Sequence, residues 1–169
     1  MILEKQEYKV STTIDNQTRI VLLEEWRRAN DLKHERFGGP AFITRNTSTG
    51  IITKEHWYEN GQLHRVDGPA VIEREGRKGT VTLEGWKVRG EFHREDGPAL
   101  IKRSPKTGVV TEELWIQNGL YHRDNGPAVI KRYAATGHTY WEVEYKNGVW
   151  IDVNENRIPS HRTAFWCHE

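Results

Sequence analysis

The sequence predicts an all-β fold: tandem 29-residue β-hairpin repeats forming an elongated, twisted antiparallel sheet with divergent terminal caps. Three observations carry this expectation. A Gly-Pro-Ala triplet recurs at 39–41, 68–70, 97–99 and 126–128, each 29 residues after the last. Within a unit, apolar and polar residues alternate with a period of two, which is the strand period and not the helical one. The two alternating stretches of each unit are joined by TSTG, GRKG, PKTG and AATG, turn compositions ending on a glycine that takes positive φ cheaply.

Superposing the units sharpens the repeat. Ile43, Ile72, Ile101 and Ile130 share the step, as do Arg45, Arg74, Arg103 and Arg132, and Glu55, Glu84, Glu113 and Glu142. Trp57, Trp86 and Trp115 follow, then Gly61, Gly90, Gly119 and Gly148, then the pairs His64-Arg65, His93-Arg94 and His122-Arg123. The composite reads GPA-φ-I-x-R, a turn, then E-x-W-x-x-x-G-x-φ-H-R-x-D/N, where φ is apolar. A gap-free period of this length means one supersecondary unit copied in tandem, each copy burying its apolar face against its neighbours. A recurring residue is therefore first a builder of the unit.

The elements follow in chain order. Residues 8–26 form a capping hairpin turning at Asn16-Gln17, with a degenerate unit completing 1–38. A helix from Val21 to His34 competes, because Leu22, Trp26 and Ala29 have helical spacing, but Glu24 and Trp26 keep the E-x-W signature of a strand. Trp26 comes two residues early and His34 one early relative to later units. Residues 39–154 hold four repeats, with Ala41 opposite Trp57 and Ile43 opposite Glu55 in the first hairpin. Arg45 then lies diagonal to Glu55, so the Arg and Glu rows predict a ladder of ion pairs flanking an Ile and Trp core. Trp150 takes the apolar place of Leu63, Phe92 and Tyr121, and residues 155–169 form a divergent cap. The whole, 1–169, is a single repeat domain.

Composition narrows the function classes. Lys plus Arg number 25 against 24 Asp plus Glu, so no overall field favours nucleic acid or an anionic membrane. A single cysteine, Cys167, has no partner for an internal disulfide, which fits a reducing compartment. The start, MILEKQEYKV, holds no apolar run of signal-peptide length, and no segment is apolar enough to span a bilayer. The expected location is the cytoplasm.

The W-x-x-x-G core, as in Trp57-Tyr58-Glu59-Asn60-Gly61, resembles MORN-type hairpin repeats. The fuller WYENGQLHRVDGPAVI and WIQNGLYHRDNGPAVI are similar to HRxDGPA repeats of uncharacterised phage and giant-virus proteins. The resemblance covers roughly residues 26–154 and departs from ordinary MORN units in its longer period and its Gly-Pro-Ala element. It implies non-catalytic binding or scaffolding and, by association with phage, an inhibitor of a host defence protein.

The candidate binding residues are His64, Arg65, His93, Arg94, His122 and Arg123, with Tyr58, Tyr121 and Trp150 as aromatic anchors. One reading of the His-Arg segment is structural: Asp-Gly-Pro makes a turn, the histidine packs on the tryptophan, and the arginine bonds loop carbonyls. The other is a row of His-Arg pairs that grips acidic side chains or phosphates, since arginine forks match both. Protein binding is the first expectation and a nucleotide or nucleic-acid phosphate track the second. Trp141 and Trp166 also break the repeat and add to the aromatic surface, which suits hot spots or base stacking. Three histidines about 10 Å apart cannot share one zinc, and His161, Cys167 and His168 match no familiar ligand spacing. No G-x-S-x-G, P-loop, H-E-x-x-H or paired-cysteine motif is present, and nearly equivalent copies offer no single asymmetric constellation, so no enzyme and no cofactor is expected. Open sheet edges make a homodimer a further expectation.

Overall fold

In a computed structural model of the chain, residues 8–29, 34 and 36–151 are described. In chain order the strands are β1 (Tyr8–Ile14), β2 (Val21–Arg28), β3 (Phe42–Arg45) and β4 (Ile52–His56), then the short pair β5 (Tyr58–Glu59) and β6 (Gln62–Leu63). The pattern repeats as β7 (Val71–Arg74), β8 (Val81–Gly85), β9 (Lys87–Val88) and β10 (Glu91–Phe92), and again as β11 (Leu100–Arg103), β12 (Val110–Leu114), β13 (Ile116–Gln117) and β14 (Leu120–Tyr121). β15 (Val129–Arg132), β16 (Thr139–Lys146) and β17 (Val149–Ile151) complete it. Eleven of these form one open antiparallel sheet in the order β1-β2-β3-β4-β7-β8-β11-β12-β15-β16-β17, while β5–β6, β9–β10 and β13–β14 pair as separate short hairpins. The all-β array expected from the repeat is the observed fold. Each unit contributes two sheet strands and one short hairpin, and no helix occurs among the described residues. The capping hairpin turns over Asp15–Arg19, and Val21–Arg28 is strand throughout, so the helical alternative fails. The segment 155–169, with His161, Trp166, Cys167 and His168, lies outside the described residues.

The turns are built by backbone and side chain together. The glycine amide ending each turn donates to a carbonyl four residues back, as Gly50 to Asn46, Gly79 to Glu75, Gly108 to Ser104 and Gly137 to Tyr133. Asn46 Oδ1 also accepts from the Ser48 and Thr49 amides, a local side-chain bond that competes with further strand. Neighbouring turns are tied as well: Thr49 Oγ1 donates to the Gly76 carbonyl and Thr107 Oγ1 to that of Ala134, both at 2.7 Å.

Cross-strand register places Ile43 opposite both Glu24 and Glu55, and Ile72 opposite both Glu55 and Glu84. Opposed residues share a face, so one face carries an alternating Glu and Ile row running across the array. The alanines of the four Gly-Pro-Ala triplets are completely buried, yet among the described residues no large side chain is. Stability in so thin a core is distributed over contacts between neighbouring units.

The ion-pair ladder exists, but its partners differ from the expected ones. Arg45 reaches Glu24 of the preceding hairpin at 2.5 Å and not Glu55 of its own. Arg74 pairs with Glu55 at 2.5 Å, Arg103 with Glu84, and Arg132 with Glu113 at 2.6 Å. The reason is a β-bulge inside each of the hairpins β3–β4, β7–β8, β11–β12 and β15–β16. Arg45 faces Ile52 instead of Thr53, whereas the β2–β3 pairing is regular, so the bulge breaks the equivalence of the two diagonals. The ladder therefore joins units to one another. A second correction concerns His34. Its carbonyl accepts from the Gly61 amide as the Leu63, Phe92 and Tyr121 carbonyls accept from Gly90, Gly119 and Gly148. His34 thus holds the apolar position of the unit and is not an early copy of the motif histidine.

Two measurements follow. A double-mutant cycle should give Arg74 and Glu55 a coupling of about 0.5–1 kcal/mol, with Arg74 and Glu84 coupling near zero; a larger coupling to Glu84 would restore the intra-hairpin ladder. The second concerns His56, which stacks on Phe42 at 5.1 Å with Nε2 buried and unpartnered among the described residues. Burial, aided by Lys54 and His34 and opposed by Glu73, holds its pKa below the ordinary 6.5. The unfolded chain therefore binds the proton first. Stability is full above about pH 6.5 and falls below it until the folded imidazole itself titrates. His56→Leu, which copies Leu114 at the equivalent position, should lose less stability than the parent between pH 7 and 5 in urea titrations; parallel pH profiles would contradict this.

Candidate functional site

Each unit leaves the sheet at its tryptophan. The Trp57, Trp86 and Trp115 amides donate to the Ala70, Ala99 and Ala128 carbonyls of the next unit at 2.7–2.8 Å, which turns the chain into the short hairpin. The hairpin tips are Asn60-Gly61, Arg89-Gly90, Asn118-Gly119 and Asn147-Gly148, with positive φ at both residues, as in type I′ turns. Arg89 is the exception in residue type, at φ 50°. The motif histidine amide then closes the hairpin on the tryptophan carbonyl, His64 on Trp57 and His122 on Trp115 both at 3.0 Å.

The arginine that follows folds back over that tryptophan. Arg65 lies 3.8 Å from the Trp57 ring centroid, Arg94 4.0 Å from Trp86, and Arg123 3.9 Å from Trp115, each a cation–π contact. Arg36 repeats the contact on Trp26 at 4.2 Å. The guanidinium also holds its own loop: Arg65 donates to the Pro69 carbonyl and Arg123 to that of Pro127, while Arg94 Nε donates to Asp96 at 2.9 Å. The glycine of each of the first three triplets leaves room for this arrangement. A Cβ on Gly97 would stand 2.8 Å from Arg94 Cζ, and one on Gly68 3.0 Å from Arg65 Cζ. Gly126 differs, since its φ of 91° selects glycine for backbone reasons instead.

The histidines join one unit to the next. Nδ1 of His64, His93 and His122 accepts the backbone N–H of Arg89, Asn118 and Asn147, respectively, at 3.1–3.2 Å. These donors are the positive-φ residues of the following hairpin tip. With Nδ1 an acceptor, the neutral ring carries its proton on Nε2. That nitrogen faces a carboxylate of its own unit: Glu59 at 3.1 Å from His64 and Asp124 at 3.4 Å from His122. Backbone bonds run alongside, from the Arg65 amide to the Lys87 carbonyl and from Arg94 to Ile116.

The site residues expected from sequence are therefore gathered along one edge, but most are engaged in holding it. Tyr58 is half-buried, stacked on His34 at 5.0 Å, and burial followed by the Glu25 charge raises its hydroxyl pKa. Tyr121 packs on Tyr145 at 5.3 Å. Trp150 is 54% exposed on β17, and Trp141 lies nearby in sequence on β16 with Lys131 over its ring. What residue-by-residue reading of the repeat missed is the loop tip. The variable position of H-R-x-D/N is Phe37, Val66, Glu95 and Asp124 in successive units. Phe37 is 92% and Val66 81% exposed, and the Glu95 and Asp124 side chains are 84% and 79% exposed. Between the second and third of these loops opens a cleft of about 520 Å³, lined by Val66, Asp67, Trp86, Val88, Glu95 and Asp96 among others.

Gly97→Ala should push Arg94 off Trp86 and cost about 1 kcal/mol, within the 0.5–2 kcal/mol typical of such contacts. Combined with Arg94→Ala, the Gly97 effect should largely vanish in a double-mutant cycle, whereas Gly126→Ala should stay costly beside Arg123→Ala. Additive penalties at 94 and 97 would refute the sandwich. No protein-family model, curated protein or solved structure matches this chain.

Proposed function

We propose that the chain is a non-catalytic protein-binding repeat module whose recognition surface is the edge formed by the His-Arg loops. One observation carries the reading. The recurring Trp, Arg, His and Gly of each loop are engaged with one another or with the next unit, and the position they leave at the tip changes from unit to unit while staying in solvent. A fixed frame with a varied, exposed residue at each step is what a recognition surface on an array requires. Two adjacent tips are apolar, Phe37 and Val66, and an exposed large side chain on a held loop makes an effective anchor at low ordering cost. The likeness to phage HRxDGPA repeats supports a narrower form of the reading, an inhibitor of a host defence protein.

The phosphate-track alternative draws less support. The guanidinium groups of Arg65 and Arg123 are laid on tryptophan rings and bonded to their own loops, and the groups exposed beside them are the carboxylates of Asp67, Glu95, Asp96 and Asp124. A surface that displays acids repels a nucleic-acid backbone.

The test pairs capture with stability. The parent chain should retain one stoichiometric protein from the lysate of its native host, and Phe37→Glu with Val66→Glu should weaken that complex at least 100-fold, about 2.7 kcal/mol, while the melting temperature holds. Retention undiminished in the double variant, or a co-purifying nucleotide in place of a protein, would defeat the reading.

A further inference from the structure

The loop-tip row changes chemistry in one direction along the array. It reads Phe37-Gly38, Val66-Asp67, Glu95-Asp96 and Asp124-Asn125. The first two steps present apolar side chains and the last two present carboxylates, with Asp67 at the junction. The neighbouring cations do not cancel this pattern evenly. Arg65 and Arg123 donate to proline carbonyls of their own loops, whereas Arg94 turns to an exposed acid, Asp96. That bond holds the Asp96 carboxyl below its usual range, so it stays ionised. Glu95 retains only a 3.9 Å approach to His93. The cleft between the second and third loops places Val66 and Val88 on the same concave surface as Asp67 and Glu95.

The spacing selects the shape of what can follow this row. Each unit advances the array by two strands, so equivalent tips recur about every 9.6 Å at the usual 4.7–4.9 Å strand separation. A polyproline-II chain rises about 3.1 Å per residue with three residues per turn, so every third side chain returns to one side after about 9.3 Å. A β-strand instead sends residues three apart to opposite faces. An α-helix advances about 5.4 Å per turn, so two turns overshoot each step by about 1.2 Å, roughly four times the polyproline mismatch, and the error accumulates over the row. Of the regular conformations, polyproline II alone keeps step with the units.

We propose that this edge docks an extended, polyproline-II-type segment of a partner protein in which every third residue faces the array, two apolar side chains meeting Phe37 and Val66 and two cationic ones meeting Glu95-Asp96 and Asp124. The inference rests on the protein-binding reading and adds the chemistry and spacing of the partner.

The test is fluorescence anisotropy on the full chain with a labelled synthetic peptide. The peptide carries leucine at its first and fourth positions, arginine at its seventh and tenth, and proline or serine between. A control of identical composition sets the same four residues at every second position. The spaced peptide should bind at least tenfold tighter than the control. Glu95→Arg with Asp124→Arg should weaken it at least tenfold and should bind a version with glutamate in place of arginine better than the parent does. Glu95→Gln with Asp124→Asn, which alters the surface less, should give the same direction of loss with the spaced peptide. Equal binding of the two spacings, no binding, indifference to these substitutions, or displacement by a single-stranded oligonucleotide would each overturn the inference. If it falls while Phe37→Glu with Val66→Glu still abolishes protein capture, the protein-binding reading survives without it. If that capture is also unaffected, both fall.

Discussion

The contact on which the arrangement turns is the motif arginine held over the ring of the tryptophan of its own unit, with the glycines of the first three Gly-Pro-Ala triplets leaving no room for a Cβ beside it. A guanidinium is planar and weakly hydrated, so it accepts an aromatic face on one side while its edge N–H groups bond carbonyls. That combination fixes the loop between the short hairpin and the next sheet strand. Because the loop is fixed, the adjacent histidine sits where Nδ1 meets the amide of the following tip. Remove the stack and the histidine loses its orientation, so a contact inside one unit governs the joint to the next.

These joints matter because the sheet supplies little else. Among the described residues no large side chain is fully buried, and the wholly enclosed ones are alanines. Three kinds of polar tie therefore run between units in parallel. The Arg–Glu ladder links each hairpin to the preceding one on the sheet, the histidines link successive short hairpins, and threonine hydroxyls link successive turns. Each is modest alone, of order 1 kcal/mol or less. The Arg–Glu and histidine ties recur from unit to unit and the threonine tie joins the first turn to the second and the third to the fourth, which spreads cooperativity along a one-dimensional stack.

Much of this was legible in the chain. The fixed step gave the unit, the period of two gave strands, and the turn compositions marked the hairpins, because those signals are local and reinforced four times over. The ladder's partners were not legible. Arg45 is diagonal to Glu24 and to Glu55 alike, and only the bulge opposite Arg45, which no residue type announces, separates them. His34 misled for a related reason: the first unit has two more residues than later units between its tryptophan and this position, which puts a histidine in the place of Leu63, and composition alone suggested the motif. Tyr58 and Tyr121 stood out as breaks in the pattern, yet both pack in aromatic pairs, so irregularity of sequence did not mean exposure. The loop tips were overlooked because superposing units draws the eye to what recurs.

Such an array divides its labour between residues that hold the frame and residues that it displays. In the segment from histidine to alanine, the histidine bonds the next unit, the arginine stacks, the glycine makes room, and the proline carbonyl accepts from the arginine in two of the loops. Substituting any of these changes the frame first and any ligand second. The tip residue contributes at most a carboxylate approach to the histidine of its own loop, at Glu95 and Asp124, and Phe, Val, Glu and Asp all occur there on loops whose arginine stacks in the same way. Chemistry at the tips can thus vary at little structural cost, and the length of the displayed row scales with the number of units. On the binding reading proposed above, specificity would come from the order of tip residues along the array, which no single unit encodes.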